Sequence, residues 1–470
     1  MSQERRESQT AVFHRNIHDI PKTAVGGEGN YIILNDGQRV LDSTGGAAVS
    51  CLGHGNEQVK AAITAQLDQI AYCHTFFFAT DVFEELAHFL ADSTGGKLSK
   101  LFIINSGSEA MEVAMKLARQ YYLEFQTPQP QRTRFIARKQ SYHGTTLGSL
   151  SMGGHLTRRE LFEPLLLQNI SHVSPCYAYR GKRSGESDAE YVARLAEELD
   201  NEFQRVGPES VCAFVAEPVV GANETLIRLL HHQALGCVPA VPGYFKAMQA
   251  VCDKYGALLI LDEVMSGMGR VGTLHAWEQE DVVPDIQTIG KGLGGGYAAV
   301  SGLLINERVV DVMDKGTGAF RHGQTYQGHP ISCAAALAVQ KIIKEQNLLE
   351  NIKNMGSLLE SLLKEGLGNH PNVGDIRGKG LFWGIEFVKD KATKEPFDLS
   401  LGIATKIQQT SMTPKYSFSL YGGNGTADGV RGDHVLLAPA YNSTEQDIRT
   451  IAGLAIRVIE DVFAAVNGGG

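Results

Sequence analysis

The chain has 470 residues, 43% of them hydrophobic and 20% charged, with a formal net charge of −9. That length points to two or more domains of a globular protein; no apolar run reaches the roughly 20 residues of a membrane span, and the acidic balance argues against a nucleic-acid partner. Seven cysteines without a C-x-x-C pair, and a start, MSQERRESQTAVFHRN, that carries acids and no apolar stretch, read as neither a disulfide frame, a metal site nor a secretory signal, so a reducing, cytoplasmic setting is expected.

In chain order, LFIINSGSEA predicts a strand at 101–104 running into a helix. Ala110, Ala114, Leu117, Ala118 and Tyr121 share one face of that helix, and Glu109, Glu112, Lys116 and Arg119 share another. TRFIARKQSYHG predicts a strand near 133–137, VCAFVAEP one near 211–216, and ALLILDEV one near 257–261. DIQTIG follows near 285–289 and AVSGLLIN near 299–305. Short, nearly continuous apolar strands separated by helices predict an α/β fold whose sheet is mostly parallel and covered by helices on both faces. This large domain is placed at 60–335. Residues 1–59 and 336–470 are more mixed and are expected to fold together as a smaller α+β domain. In parallel sheets ligands bind beyond the carboxyl ends of the strands, and Ser106, Tyr142, Glu217, Asp262 and Lys291 all follow strand ends.

The stretch TIGKGLGGGY at 288–297 contains G-x-G-x-x-G and a lysine. A dinucleotide loop needs a helix after it, and the next segment is β-like; a phosphate-binding P-loop needs Ser or Thr after the lysine, and Gly292 stands there. Lys291 is then either a solvated turn residue or a lysine held for covalent chemistry. Asp262 ends the very apolar strand before it, where a carboxylate is costly without a partner. That partner is either a structural arginine or the protonated ring nitrogen of pyridoxal phosphate (PLP), with Lys291 supplying the amine for a Schiff base. Ser106, Gly107 and Ser108 sit where a strand turns into a helix, which reads as an N-cap or as an anion cradle. Tyr142 offers a ring face for stacking, or is a half-buried core tyrosine.

The motifs NSGSEAMEVAMKLAR, YHGTTLGSLS, EPVVGA, ILDEVMSGMGRVGT, TIGKGLGGGY and HGQTYQGHP occur in this order. Together they resemble the PLP-dependent class III aminotransferases, the ω-amino-acid and ornithine-type branch of fold type I, over nearly the whole chain from about 27 to 441. The resemblance implies that Lys291 holds pyridoxal 5'-phosphate covalently and then carries a proton between substrate and cofactor. It implies that Asp262 keeps the ring nitrogen protonated, that Tyr142 and Val264 pack on the two ring faces, and that Gly107 and Ser108, next to Ser106, bind the phosphate. His143, in the same motif as Tyr142, joins the cofactor-binding set. Thr325 would reach the phosphate from a neighbouring subunit, which implies a homodimer. Glu217 matches a glutamate near the cofactor that pairs in some members with a mobile arginine; Arg431 is the candidate for that arginine, binding a carboxylate as a fork and swinging away for substrates without one.

Two departures from the family stand out. Roughly NETLIRLLHHQA, at 223–234, is extra chain beside the expected cofactor mouth, and Met268 replaces a more usual aromatic residue. The expected reaction is a two-step, ping-pong transfer of an amino group from a primary amine, ω-amino acid or diamine to a keto acid. YCHTFFF at 72–78 places Phe77 as a candidate substrate-binding residue at the pocket entrance, unless it is a plain hydrophobic cluster. A PLP aminomutase, racemase or decarboxylase of the same fold, a NAD-dependent oxidoreductase, and a non-catalytic binding protein on a decayed scaffold remain alternatives.

Overall fold

The computed structural model describes residues 10–221 and 235–468, so the extra stretch at 223–234 lies outside the described residues. A seven-stranded sheet forms the centre: β1 (Leu98–Ile104), β2 (Arg134–Arg138), β3 (Ile170–Val173), β4 (Val211–Ala216), β5 (Leu258–Asp262), β6 (Ile286–Ile289) and β7 (Ser301–Asn306). Their order is β1-β7-β6-β5-β4-β2-β3. From β6 to β3 every pair is parallel, whereas β7 runs antiparallel to both β6 and β1. Six of these strands were expected from their apolar runs. β3 was not: at the sheet edge, Ile170, Ser171 and His172 are only half-buried, and the segment is too polar to read as a strand.

The inner strands are buried on both faces, so they show no alternation in sequence. On β4, Ala213 and Val215 pack into one apolar cluster while Phe214 and Ala216 pack into another. The first face is covered by α1 (Gly107–Tyr121), through Ala110, Ala114, Leu117 and Ala118. The second is covered by α2 (Asp188–Val206) and α3 (Tyr244–Tyr255), through Leu195, Leu199, Phe203, Phe245 and Met248. The polar face of α1 is less solvated than its sequence suggests. Glu112 is half-buried and accepts hydrogen bonds from Thr146 Oγ1 (2.7 Å), Gly148 N (2.7 Å) and Ser149 N (3.3 Å), fastening the loop after β2 to the helix.

The two ends of the chain share a second core. Leu41, Leu52 and Val59 pack with Ile352, Leu359, Trp383, Phe418, Leu437 and Phe463, and Leu41 exchanges backbone hydrogen bonds with Ser417 and Ser419 (2.9 Å each). Here lie a four-stranded antiparallel sheet (Val373–Lys379, Phe382–Phe387, His434–Leu437, Tyr421–Gly423) and the helices Leu348–Leu367 and Glu445–Gly468. No sharp boundary falls at 335. Helix α4 (Pro330–Glu345) gives Cys333, Ala336 and Leu337 to the large core, and Ala335, Val339, Ile342 and Ile343 to the small one. A buried ion cluster also bridges the two bodies: Glu386, of the small sheet, pairs with Arg377 (2.8 Å) and with Arg180 (2.6 Å), which precedes α2.

One buried carboxylate fixes the edge of the sheet on which the chemistry sits. Glu263 directly follows β5 and is fully buried. It accepts hydrogen bonds from Ala276 N (2.7 Å), Trp277 N (2.8 Å) and the Gln287 side-chain amide on β6 (2.8 Å). Burial pushes its carboxyl up to about 8, against the pull of those three donors. Glu263→Gln places amide hydrogens among donors that need an acceptor. Above about pH 8, where the carboxyl is ionised, the variant is expected to lose about 1–3 kcal/mol of stability in urea denaturation; an unchanged midpoint there would mean that the network does not depend on the charge.

Candidate active site

Five of the sheet's strand ends converge on one cavity of about 260 Å³. Its lining includes Ser106, Gly107 and Ser108 after β1, Tyr142 and His143 after β2, Glu217 after β4, Asp262 and Val264 at the end of β5, and Lys291 after β6. Ala298, Ala299 and Val300 complete the wall, because antiparallel β7 starts at the edge where the parallel strands finish. Val49, from the N-terminal segment, closes another side.

Asp262 is only 6% exposed, and no arginine among the described residues meets it. Its Oδ2 lies 2.8 Å from His143 Nδ1, and its Oδ1 accepts from Thr288 Oγ1 (2.9 Å) and Val264 N (3.1 Å). Thr288 is the residue directly opposite Asp262 in the β5–β6 register. The other nitrogen of His143 is buried without a partner among the described residues. The carboxyl group is therefore steered from three sides and faces the cavity, able to take one more donor.

Lys291 opens the short 3₁₀ turn Lys291–Leu293 with a left-handed φ of 45°, a conformation that disfavours any residue with a Cβ. Its amine makes no hydrogen bond or ion pair with the described residues. Desolvation pushes its pKa down to about 8, with the Arg270 charge adding to that and Asp262 and Glu217 opposing it. After the turn comes strand β7 rather than a helix, so the glycines serve the lysine and not a dinucleotide. A Cβ at Gly292 would stand 2.9 Å from Tyr441 Oη and 3.4 Å from Met268. Met268 is fully buried below that turn and does not line the cavity.

The loops around the helix start are in close contact. Ser106 caps α1, its hydroxyl accepting from Glu109 N (3.3 Å), while Ser108 Oγ accepts from Thr145 N (3.0 Å). A Cβ at Gly107 would stand 2.8 Å from Val264 Cγ1, so only glycine lets the helix start approach β5 this closely. With the positive end of the 15-residue α1 beside it, this corner suits an anion. Glu217 accepts from Tyr142 N and Gly221 N (3.1 Å each), which holds the Tyr142 loop over the cavity; burial raises the Glu217 pKa.

Three candidate residues lie elsewhere. Phe77 is 71% exposed in an aromatic surface group with Phe76 and Phe78. Thr325 is exposed on the same surface, its carbonyl accepting from Tyr72 Oη (2.9 Å). Arg431 is exposed and closed onto Asp428, with Nε 2.8 Å from Oδ2. Reading the sequence missed Thr288, whose place opposite Asp262 appears only with the strand register, and Ala298–Val300, which matter because β7 reverses direction.

Comparison with known proteins agrees with this geometry. The family model for class-III aminotransferases matches residues 12–413. An aminotransferase of Gibberella zeae is 54% identical over 95% of this chain and 85% of its own length. An uncharacterized aminotransferase of Schizosaccharomyces pombe is 46% identical over 99% and 98%. Among solved structures, an ω-transaminase of Pseudomonas jessenii in complex with PMP superposes with a TM-score of 0.88 at 30% identity, covering all of both chains.

The lowered pKa of Lys291 gives a direct test. Below about pH 8 its amine is charged and inert, and above it the free base reacts. Competitive acetylation of ligand-free protein, read by mass spectrometry, is expected to label Lys291 with a midpoint near 8, against about 10.4 for solvated lysines. A midpoint at the ordinary value would show that the amine is not desolvated.

Proposed function

This chain belongs to the class III aminotransferases, and we propose that it uses pyridoxal 5'-phosphate to move an amino group from a primary amine, ω-amino acid or diamine to a keto acid in two ping-pong half-reactions. The observation that carries this reading is the meeting, in one cavity, of an unpartnered desolvated lysine, a thrice-steered carboxylate and a helix start. Each answers one part of the cofactor: amine for its carbonyl carbon, anion for its ring nitrogen, amide hydrogens for its phosphate.

Bound there, the cofactor supplies an electron-withdrawing ring that absorbs the charge left when a proton leaves the substrate carbon. Asp262, fixed by His143, Thr288 and Val264 N, would keep a proton on the ring nitrogen. Tyr142 and Val264 would pack against the ring, and Gly107 and Ser108 would hold the phosphate. Lys291, whose amine changes charge near neutral pH, takes up and returns the proton at the substrate carbon. Glu217 keeps the Tyr142 loop in place.

The aromatic surface of Phe76, Phe77, Phe78 and Tyr326, each more than half exposed, is apolar area of the kind that a partner covers. We assign it to a homodimer in which Thr325 of the partner subunit completes the phosphate site. The seven cysteines are all free and six are buried, which fits a reducing compartment such as the cytoplasm.

Protein loaded with PLP is expected to be yellow and to bleach when 1-phenylethylamine is added. Lys291→Ala should still bind the cofactor yet lose about a thousandfold or more in turnover. A protein that stays colourless with PLP, or a Lys291→Ala variant that turns over normally, overturns the reading. Thr325→Ala should weaken PLP binding about fivefold, the scale of one hydrogen bond, in a particle with twice the chain mass by light scattering; a fully loaded monomer would refute the shared site.

A further inference from the structure

Arg270, in the GMGRVG turn after β5, is fully buried, and no carboxylate among the described residues pairs with it. Arg377, also buried, lies instead between Glu386 (2.8 Å) and Asp375 (3.0 Å). A buried cation without an acid is costly, so what does hold Arg270 is informative. Its Nη1 donates to the carbonyls of Leu381 (3.0 Å) and Pro439 (2.7 Å), and its own carbonyl accepts from Leu381 N (3.2 Å). Its Nε has no hydrogen-bond partner. Leu381 sits in the turn between two strands of the small sheet, and Pro439 follows a third. The large body thus reaches into the small one with a permanent charge.

The guanidinium carbon lies 4.6 Å from the ring centroid of Tyr441, on a face that attracts a cation. Gly269 has a φ of 99°, and a Cβ there would stand 3.1 Å from Tyr441 Cε2, so glycine lets the arginine's turn close on the ring. Tyr441 is itself fully buried, its N donating to Cys51 O (2.7 Å) and its carbonyl accepting from Asn351 Nδ2 (2.7 Å). Its hydroxyl stands 2.9 Å from the place of a Cβ on Gly292, the residue after Lys291, and so forms a floor under the lysine's turn. Gln340 of α4 holds that turn as well, donating to the carbonyls of Gly292 (2.9 Å) and Leu293 (3.0 Å). The groups that feel the Arg270 charge besides Lys291, namely Tyr441, Cys51 and Cys237, are kept neutral by burial. On this side the charge therefore goes uncancelled, and it adds to desolvation in lowering the pKa of the Lys291 amine.

We propose that Arg270 is a positioning residue for Lys291: through Leu381 and Pro439 it locks the small body to the tyrosine floor beneath the lysine's turn, and so makes the reactivity of the amine depend on how the two bodies dock. The use of that amine rests on the aminotransfer reading given above. Arg270 lines no part of the cavity; it acts through Tyr441 and the turn. A guanidinium suits the task, because it keeps its charge when buried and its planar fork is fixed by two carbonyls at once.

The test reads the amine itself, by competitive acetylation of the ligand-free full-length chain. Removing a like charge favours the protonated amine, so Arg270→Met is expected to raise the Lys291 midpoint above about 8. The rise should cut the free amine at neutral pH about threefold, while solvated lysines keep their midpoints. An unchanged midpoint in a folded variant would make Arg270 a plain structural tie and overturn the proposal. Should Arg270→Met fail to fold, Gly292→Ala tests the same seat, because its methyl group meets the Tyr441 hydroxyl. That variant should raise the midpoint too, and adding Tyr441→Phe should bring it back towards 8. A Gly292→Ala midpoint equal to the wild type, or one that Tyr441→Phe leaves uncorrected, overturns the proposal as well. If the PLP-loaded wild type fails to bleach with 1-phenylethylamine, the aminotransfer reading falls, and the acetylation midpoints still decide what Arg270 does.

Discussion

Asp262 carries its carboxylate at the end of an entirely apolar strand, where an ion without partners costs several kcal/mol even after the protein relaxes around it (on the order of the penalties seen for buried ions). Much of the neighbouring architecture meets that demand. Thr288 is opposite it because β5 and β6 pair in parallel, His143 is brought over by the loop after β2, and the Val264 amide turns back onto it. Glu263, one residue on, points the other way and ties the same strand end to β6 and to the Ala276–Gln279 turn. Two successive acids thus anchor the site from opposite sides, one directed at the cavity and one at the core.

Holding a negative group in place this firmly is also what makes Lys291 useful. The lysine lines the same cavity, on a turn whose left-handed backbone the glycines around it permit. Asp262 and Glu217 favour its charged form, while desolvation disfavours it more. The balance leaves an amine that can be charged or neutral at ordinary pH, which proton transfer requires. A stronger opposing acid would keep it charged, and a drier site would keep it neutral.

The sheet was legible because strands buried on both faces appear as uninterrupted apolar runs: VCAFVA, LLILD and SGLLIN are strands within a residue or two of where their sequences place them. The fold type and the family could be read from motif order for the same reason, since the loaded residues follow those runs. What depends on pairing could not be read. The reversal of β7 brings Ala298–Val300 into the wall, and the register puts Thr288 under Asp262; neither leaves a local trace. β3 escaped because an edge strand needs little apolar character.

Helix α4 belongs to two cores at once, and the Glu386 cluster ties the two bodies a second time. A chain built this way is not modular. Cutting it beside the helix strips an apolar stripe from one half whichever side the cut falls on: Ala335, Val339 and Ile342 are left bare on one, Cys333, Ala336 and Leu337 on the other. Recombination among relatives is thus confined to exchanges that carry α4 together with both surfaces it fills. The small body, although assembled from distant ends of the sequence, is inherited with the sheet as one unit.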